Sequence, residues 1–228
     1  MARPLQRLLG IAEEQWGLCT RRQALDAGVA TSSLARLLRD GRLERVAHGV
    51  YRVRGAGEPD HLQLRAAWLQ LDPAIPAWER VRSPDVTLVS HASAASLYGV
   101  GDLRADIHEF TLPVRHQTRR PDVRIHRGHV PDKQRILLAG LPATRAARMI
   151  GDLLGDHVEP SSVAQITAEV IDRVFDYPSD VAECIAPYAS RFGFRRGDGV
   201  GLLDYLLTLA GYSRNRDTIR SLARGDES

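Results

Sequence analysis

Three short helical patterns follow one another within the first 41 residues of the chain, and their spacing limits what this region can fold into. The first pattern has a single apolar stripe formed by Leu5, Leu8, Leu9, Ala12 and Trp16. The second begins with a capping box, because Thr20 has Gln23 three residues later, and it ends at Gly28. These two helices are therefore predicted to lie close together in a small helical core.

The third pattern, TSSLARLLRDG, predicts an amphipathic helix. Thr31 is its predicted N-cap and Gly41 its predicted stop. The apolar stripe consists of Leu34, Leu37 and Leu38. The opposite face consists of Ser32, Ser33, Arg36 and Arg39. The three helices together predict a trihelical core that leaves this polar face in solvent.

A two-stranded hairpin is predicted directly after the third helix. In RLERVAHGVYRV, Leu43 and Val46 point inward and the chain turns near His48 and Gly49. Its arginines are Arg42, Arg45, Arg52 and Arg54. Helices followed by such a hairpin are the arrangement of a winged helix-turn-helix. We therefore expect residues 1–56 to form a winged DNA-binding domain.

The polar side chains of this predicted domain suit double-stranded DNA. A helix fits the major groove, and a guanidinium group matches the two acceptors of guanine. We assign base reading to Ser32, Ser33 and Arg36, and backbone contacts to Arg42, Arg45 and Arg52. The full predicted DNA-binding set is Arg21, Arg22, Thr31, Ser32, Ser33, Arg36, Arg39, Arg42, Arg45, His48 and Arg52.

The charge distribution supports this interpretation but leaves an alternative open. Residues 1–54 hold ten arginines and five acids, a net +5, whereas the rest of the chain contributes −2. The alternative is that the exposed arginines form only a solvated face. Lys133 is the one lysine of the chain, a bias that a GC-rich genome also produces.

Cysteine usage and apolar run lengths predict a cytoplasmic protein. Cys19 and Cys184 lie far apart without metal-ligand spacing, so we expect two reduced thiols. No apolar run reaches membrane-spanning length, and the start MARPLQRLLG lacks the features of a signal peptide. We therefore expect no membrane association and no cofactor.

A second domain is predicted to begin at residue 57, because GAGEP at residues 55–59 has the composition of a linker. A helix capped by Asp60 comes first, and a later small-residue helix is capped by Ser90. The predicted strands are VTLV, IHEFTLP, DVRIHRG and RILLAGLP. Thr144 then caps RAARMIGDLL, and the remainder is helical. The expected class is α+β, with residues 57–228 forming a mixed α/β domain that is helical from about residue 144 onward.

Four segments carry a family resemblance: GLCTRRQALDAGVATSSLARLLRDGRLERVAHGVYRV, VTLVSHASAASLYGVGDL, IHEFTLPV and GLPATRAARMIGDLL. Together, over roughly residues 15–155, they resemble the AbiEi-type antitoxins of bacterial type IV toxin-antitoxin and abortive-infection systems. The resemblance implies a winged domain that represses its own operon by binding promoter repeats. It also implies a carboxy-terminal domain that counters a nucleotidyltransferase toxin. Arg36, Arg39, Arg45 and Arg52 then occupy recognition-helix and wing positions.

A second basic cluster lies in PVRHQTRRPDVRIHRGHVPDKQR and contains Arg115, Arg119, Arg120, Arg124 and Arg127. Three interpretations of it stay open. It extends the DNA footprint, it contacts an acidic surface of the toxin or of toxin-bound RNA, or its charge protects a solvated edge strand from aggregation.

The catalytic patterns in the sequence are incomplete. Ser90 and His91 stand in SHAS, but a nucleophile elbow needs glycines on both sides of the serine. His126 and His129 lie three residues apart on a predicted strand and so point to opposite faces, which argues against a metal pair. We therefore predict no catalytic residues and no metal site.

The sequence as a whole predicts a DNA-binding autorepressor and antitoxin that is not an enzyme. Its predicted partners are the repeats of its own promoter and a cognate nucleotidyltransferase-type toxin, with a homodimer on DNA as a further option. The alternative is a protein-interaction module whose winged domain contacts the toxin directly and binds no specific DNA.

Overall fold

The structure, a computed structural model, describes residues 2–212 and 216–224. Its contacts divide the chain into two units, Met1–Thr87 and Leu88–Ser228. Both units combine helices with a sheet, so the predicted α+β class is confirmed.

The first unit contains the three predicted helices, the predicted hairpin and two further helices. In chain order its elements are α1 (Ala2–Glu13), β1 (Leu18–Thr20), α2 (Arg21–Asp26), α3 (Thr31–Arg39), β2 (Leu43–Ala47), β3 (Val50–Val53), α4 (Leu62–Leu71) and α5 (Ala77–Arg80). Strand β3 lies between β1 and β2 and is antiparallel to both. The hairpin β2–β3 is the wing, and the predicted winged helix-turn-helix is confirmed.

One apolar core holds the helices of this unit on its sheet. Its members include Leu8, Ala12, Leu34, Leu37 and Tyr51, with Leu5, Leu9 and Leu38 packed at its border. The predicted stripes of α1 and α3 therefore face the core. Trp16 differs from the prediction because α1 already ends at Glu13. The indole instead makes an edge-to-face contact with Trp68, at 6.0 Å between ring centroids.

The caps of the first unit are only partly as predicted. The capping box of α2 is confirmed: Gln23 N donates to Thr20 Oγ1 at 3.0 Å, and Thr20 N donates to Gln23 Oε1 at 2.9 Å. The predicted cap Thr31 is wrong, because the helix already includes Thr31 and Ala30 occupies the N-cap position without a side-chain hydrogen bond. Asp60 does not cap α4 either, since His61 in a left-handed conformation precedes that helix.

The predicted domain boundary at residue 56 falls inside the first unit. Helix α4 packs against all three strands of the small sheet, and Trp68 and Leu69 are fully buried. Residues 55–59 thus join the wing to a helix that covers the same sheet. Confinement of DNA binding to residues 1–56 stays a prediction.

The second unit contains a five-stranded mixed sheet and six described α-helices. In chain order its elements are β4 (Leu88–Val89), α6 (His91–Tyr98), β5 (His108–Leu112), β6 (Val123–Arg127), β7 (Arg135–Leu138), β8 (Leu141–Thr144), α7 (Ala146–Gly155), α8 (Pro160–Asp172), α9 (Pro178–Ile185), α10 (Gly199–Leu209) and α11 (Arg216–Arg224). The sheet order is β6-β5-β4-β8-β7. The pairs β4–β5 and β7–β8 are antiparallel, whereas β4–β8 and β5–β6 are parallel.

Two predicted caps of this unit act differently from the expectation. Thr144 ends β8, so the residue before α7 is Arg145, and the distant carboxylate of Asp176 accepts a hydrogen bond from Ala147 N at 2.9 Å. Ser90 does precede α6, but its hydroxyl lies 2.9 Å from His91 Nδ1 and accepts from Thr111 Oγ1 at 2.8 Å. A buried hydroxyl is satisfied by these neighbours instead of by the helix end.

Within the part of the chain that the structure describes, none of the helices combines the length and the apolar character needed to cross a bilayer.

Candidate nucleic-acid interface

Helix α3 presents a polar face opposite its buried leucines. Leu34 and Leu37 are buried in the core. Ser32, Arg36 and Arg39 are exposed, and their spacing of four and three residues places them along one side of the helix. Ser33 is half-buried at the edge of this face. The exposed stripe has the shape and chemistry that a major groove accepts.

The start of α3 offers two hydroxyls that the protein itself does not use. Thr31 and Ser32 are exposed, and neither side chain forms a hydrogen bond with the described residues. The Thr31 hydroxyl is not engaged in capping because Ala30 holds the N-cap position. Both hydroxyls can therefore donate to a phosphate at the positive end of the helix dipole.

The wing turn lies beside the start of α2. Gly49 makes the turn possible with φ +70°, a conformation that glycine adopts without strain. Arg21 N donates to the Gly49 carbonyl at 2.7 Å, and the Gln70 amide donates to the His48 carbonyl at 2.6 Å. These bonds hold the start of α2 and helix α4 at the wing turn, where His48 is exposed, as Arg21 is on α2.

Most of the predicted DNA-binding arginines carry an uncompensated charge. Five of them form no salt bridge with any residue that the structure describes: Arg21, Arg36, Arg39, Arg42 and Arg45. All five are exposed. An exposed guanidinium group without a carboxylate partner can take a phosphate without first breaking an ion pair.

Arg22 and Arg52 differ from the other predicted arginines because both are paired. Arg22 Nε lies 3.0 Å from Asp26 on the surface. Arg52 is bound between Glu44 at 2.8 Å and Glu58 at 3.0 Å. The hydrogen bond to Glu44 is the main reason that the pKa of Arg52 is raised. The predicted backbone contact of Arg52 would therefore require it to exchange two carboxylates for a phosphate.

Other arginines of the first unit serve the fold. Arg7 Nη1 donates to the carbonyls of Ala27 and Gly28 at 3.0 and 3.1 Å, which joins α1 to the end of α2. Arg80 lies over the Trp68 ring at 3.6 Å, and burial lowers its pKa to about 10. A count of arginines therefore overstates the charge that this unit offers to DNA.

Sequence reasoning missed a buried polar network that holds α2 in place. Gln15 Nε2 donates to Gln23 Oε1 at 2.7 Å, while Ala77 N donates to Gln15 Oε1 at 3.1 Å. Gln23 Nε2 also donates to the Ile75 carbonyl at 3.3 Å. The capping box was the one signal in the sequence, because Ala77 and Ile75 lie more than 50 residues further along the chain than the glutamines they contact.

The second predicted basic cluster lies on and before β6, an edge strand of the second unit. Arg120 contacts Asp122 at 2.9 Å, and Arg124 contacts Asp156 at 3.1 Å. Arg115, Arg119 and Arg127 are exposed and form no salt bridge with a described residue. The edge position agrees with the interpretation of charge as protection of the strand. A contact with DNA, toxin or RNA stays a prediction.

A trihelical core and a wing define the winged helix-turn-helix fold, and the exposed arginines of α3 and β2 form no salt bridge with a described residue. Residues 6–54 match the family described as "Transcriptional regulator, AbiEi antitoxin". The match covers about a fifth of the chain and lies within the first unit. The resemblance to AbiEi-type antitoxins is thereby confirmed for this region, and the matched family is a regulatory one. A comparison with curated proteins gave no match.

Proposed function

We propose that this chain is a DNA-binding autorepressor and the antitoxin of a type IV-like toxin-antitoxin system, acting in the cytoplasm. The observation that carries the proposal is the unpaired arginine surface of α3 and the wing, which lies inside the region that matches a transcriptional-regulator family. If the arginines formed only a solvated face, they would not need to lie on a polar helix and on a hairpin in the arrangement that DNA-binding domains use.

The proposed binding mode places α3 in the major groove. Ser32 and Arg36 face the base edges, with Ser33 at the border, while Thr31 and Arg39 contact flanking phosphates. Arg42 and Arg45 on the wing, together with Arg21 and His48 beside its turn, contact the backbone of the same duplex. Base contacts set the sequence preference and phosphate contacts set most of the affinity.

The family resemblance suggests the biological partners. We propose that the DNA consists of repeats in the chain's own promoter, and that two copies of the chain occupy them as a homodimer. We propose further that the second unit counters a nucleotidyltransferase-type toxin encoded alongside, without a catalytic step by this chain. Toxin neutralisation and DNA binding are then carried by different units.

A promoter-reporter assay tests the repressor function. The wild-type chain should repress a reporter driven by its own upstream DNA, and should not repress one driven by a shuffled fragment. The double substitution Arg36→Ala and Arg39→Ala should restore expression. Arg82→Ala is the matched control, because Arg82 is exposed in the same unit but lies outside residues 6–54. Equal expression with and without the wild-type chain would refute autorepression.

Co-expression with the neighbouring reading frame tests the antitoxin function separately. The full chain should rescue growth from the toxin, and the Arg36→Ala/Arg39→Ala variant should rescue it equally well when expressed from an unrelated promoter. If rescue requires these arginines and the wild-type chain shows no DNA preference, the results would favour the protein-interaction module instead.

A further inference from the structure

Two histidines and two carboxylates from four separate elements meet in the second unit. His91 begins α6, Glu109 lies on β5, His126 lies on β6, and Asp156 directly follows α7. One ligand atom each from His91, His126 and Asp156 lies within 4.8 Å of the other two. The imidazole rings of His91 and His126 are stacked, with 3.5 Å between their centroids.

Each imidazole is held through one nitrogen, so its other nitrogen is the one available to a ligand. His91 Nδ1 lies 2.9 Å from Ser90 Oγ, which leaves Nε2. His126 Nε2 lies 3.2 Å from Glu109 Oε1, which leaves Nδ1, and Nδ1 lies 4.0 Å from Asp156 Oδ1. A histidine whose far nitrogen bonds a hydroxyl or a carboxylate is the usual arrangement around protein-bound metal ions.

The carboxylate of Glu109 supports the cluster from one side. It accepts a hydrogen bond from Ala92 N at 2.9 Å, and its other oxygen lies 3.2 Å from His126 Nε2. A carboxylate behind a histidine in this way fixes the orientation of the ring.

The cluster opens on a cavity of about 330 Å³ lined in part by His91, Arg104, Asp106, Glu109, Arg124 and Asp156. Arg124 Nη1 lies 3.1 Å from Asp156 Oδ2 and leaves Oδ1 directed at His126. Its side chain is 59% exposed and can therefore turn into solvent. The cavity gives an ion access to His91 and Asp156 and leaves room for a further, exchangeable ligand.

His91 is also held in an unusual backbone conformation, with φ +52°. A left-handed conformation is uncommon for residues other than glycine, asparagine and aspartate. Here it places the ring against His126. The strain has no role in the proposed DNA interface, which lies in the other unit.

We propose that His91 Nε2, His126 Nδ1 and the Asp156 carboxylate bind a divalent transition-metal ion such as Zn²⁺, with a fourth position open to the cavity. Two imidazoles and one carboxylate with an open position are a common zinc ligand set. The lone pairs of parallel rings do not converge, so binding turns one ring and draws the three ligand atoms together. The prediction of no metal site considered His126 with His129, whereas the proposed partner is His91, 35 residues earlier in the chain.

Cobalt titration of the full-length, EDTA-treated chain tests this site directly. Four-coordinate Co²⁺ gives visible d–d absorption bands, and these should appear with one equivalent of Co²⁺ per chain and disappear when Zn²⁺ is added. His91→Asn, His126→Gln and Asp156→Asn should each weaken binding at least about tenfold. Asparagine is chosen at position 91 because it tolerates the left-handed conformation.

His129→Gln is the matched control, because His129 is an exposed histidine two residues beyond β6 and is not a member of the cluster. It should leave the Co²⁺ bands and the affinity unchanged. Circular dichroism in EDTA separates loss of a ligand from loss of the fold. Absence of the bands in the wild-type chain, or equal binding by the wild type and all three ligand variants, would overturn the proposal.

Discussion

The arginines of the winged unit and those of the second unit differ in what surrounds them. On α3 and β2, and between them, Arg36, Arg39, Arg42 and Arg45 form no salt bridge with a described residue. In the second unit, Arg120, Arg124 and Arg145 each contact an aspartate. The same residue type thus provides available charge on α3 and β2 and internal bonding at these three positions of the second unit, where Arg115, Arg119 and Arg127 form no salt bridge with a described residue.

This contrast shows why the number of arginines alone does not locate a nucleic-acid interface. A paired guanidinium group must give up its carboxylate before it can neutralise a phosphate. Only the difference in free energy between the new phosphate contact and the lost ion pair contributes to DNA affinity. Arg52 makes the same point within the wing, because Glu44 and Glu58 both contact it.

The largest effect is expected where a paired arginine loses its carboxylate. Asp176 is 4% exposed, pairs with Arg145 and accepts from Ala147 N, so Asp176→Ala should lower the free energy of unfolding of the second unit by about 3 kcal/mol. Urea denaturation measures this change. Asp180→Ala, which removes the more exposed carboxylate 3.8 Å from the same arginine, should cost less than about 1 kcal/mol. Equal losses in the two variants would contradict the structural role of Asp176.

An unpaired arginine on α3 should affect recognition and not stability. Arg36→Ala should reduce the preference for the upstream DNA over a shuffled fragment by about 1–3 kcal/mol, because one bidentate base contact is lost. Fluorescence anisotropy with both fragments measures the ratio of the two dissociation constants. If this ratio is unchanged while binding to both fragments weakens, Arg36 contacts the phosphate backbone instead of a base.

An unpaired arginine on the wing should affect all DNA equally. Arg45→Ala should weaken binding to the upstream and shuffled fragments by the same factor and should reduce the salt slope by about 1, which corresponds to one phosphate contact. Anisotropy over a series of salt concentrations gives both quantities. A selective loss for the upstream fragment would instead place Arg45 at a base edge.

The basic cluster on and before β6 should have the smallest effect on DNA. The combined substitution of Arg115, Arg119 and Arg127 by alanine should change the affinity for upstream DNA by less than about twofold, because charge on and next to an edge strand acts mainly against aggregation. Light scattering during storage should show faster aggregation of the variant. A large loss of affinity with unchanged aggregation would extend the DNA footprint to the second unit.

The local features of the winged domain could be predicted from sequence because they depend on neighbours in the chain. The leucine stripe of α3 and the Thr20–Gln23 capping box are set by spacings of three and four residues. The cap of α7 could not be found in this way. Its carboxylate comes from Asp176, while the sequence offered Thr144 directly before the helix.

The pairing of individual arginines could not be predicted for the same reason. Arg52 and Arg45 look equivalent on the hairpin. The fold brings Glu58 to Arg52, whereas no described carboxylate forms a salt bridge with Arg45. The proposed metal cluster combines residues from positions 91, 126 and 156, which only the sheet and its helices bring together. Side chains that meet through tertiary structure leave no periodic signal in the sequence.

The central claim is that the unpaired arginines of α3 and the wing bind the phosphates and bases of upstream DNA. The most direct test is the salt dependence of binding for the wild-type chain and for a variant with alanine at positions 36, 39, 42 and 45. Arg39, Arg42 and Arg45 are proposed to neutralise one phosphate each and Arg36 to contact a base edge, so the slope of log affinity against log salt should fall in magnitude by about 3. An unchanged slope in a folded variant would contradict the account.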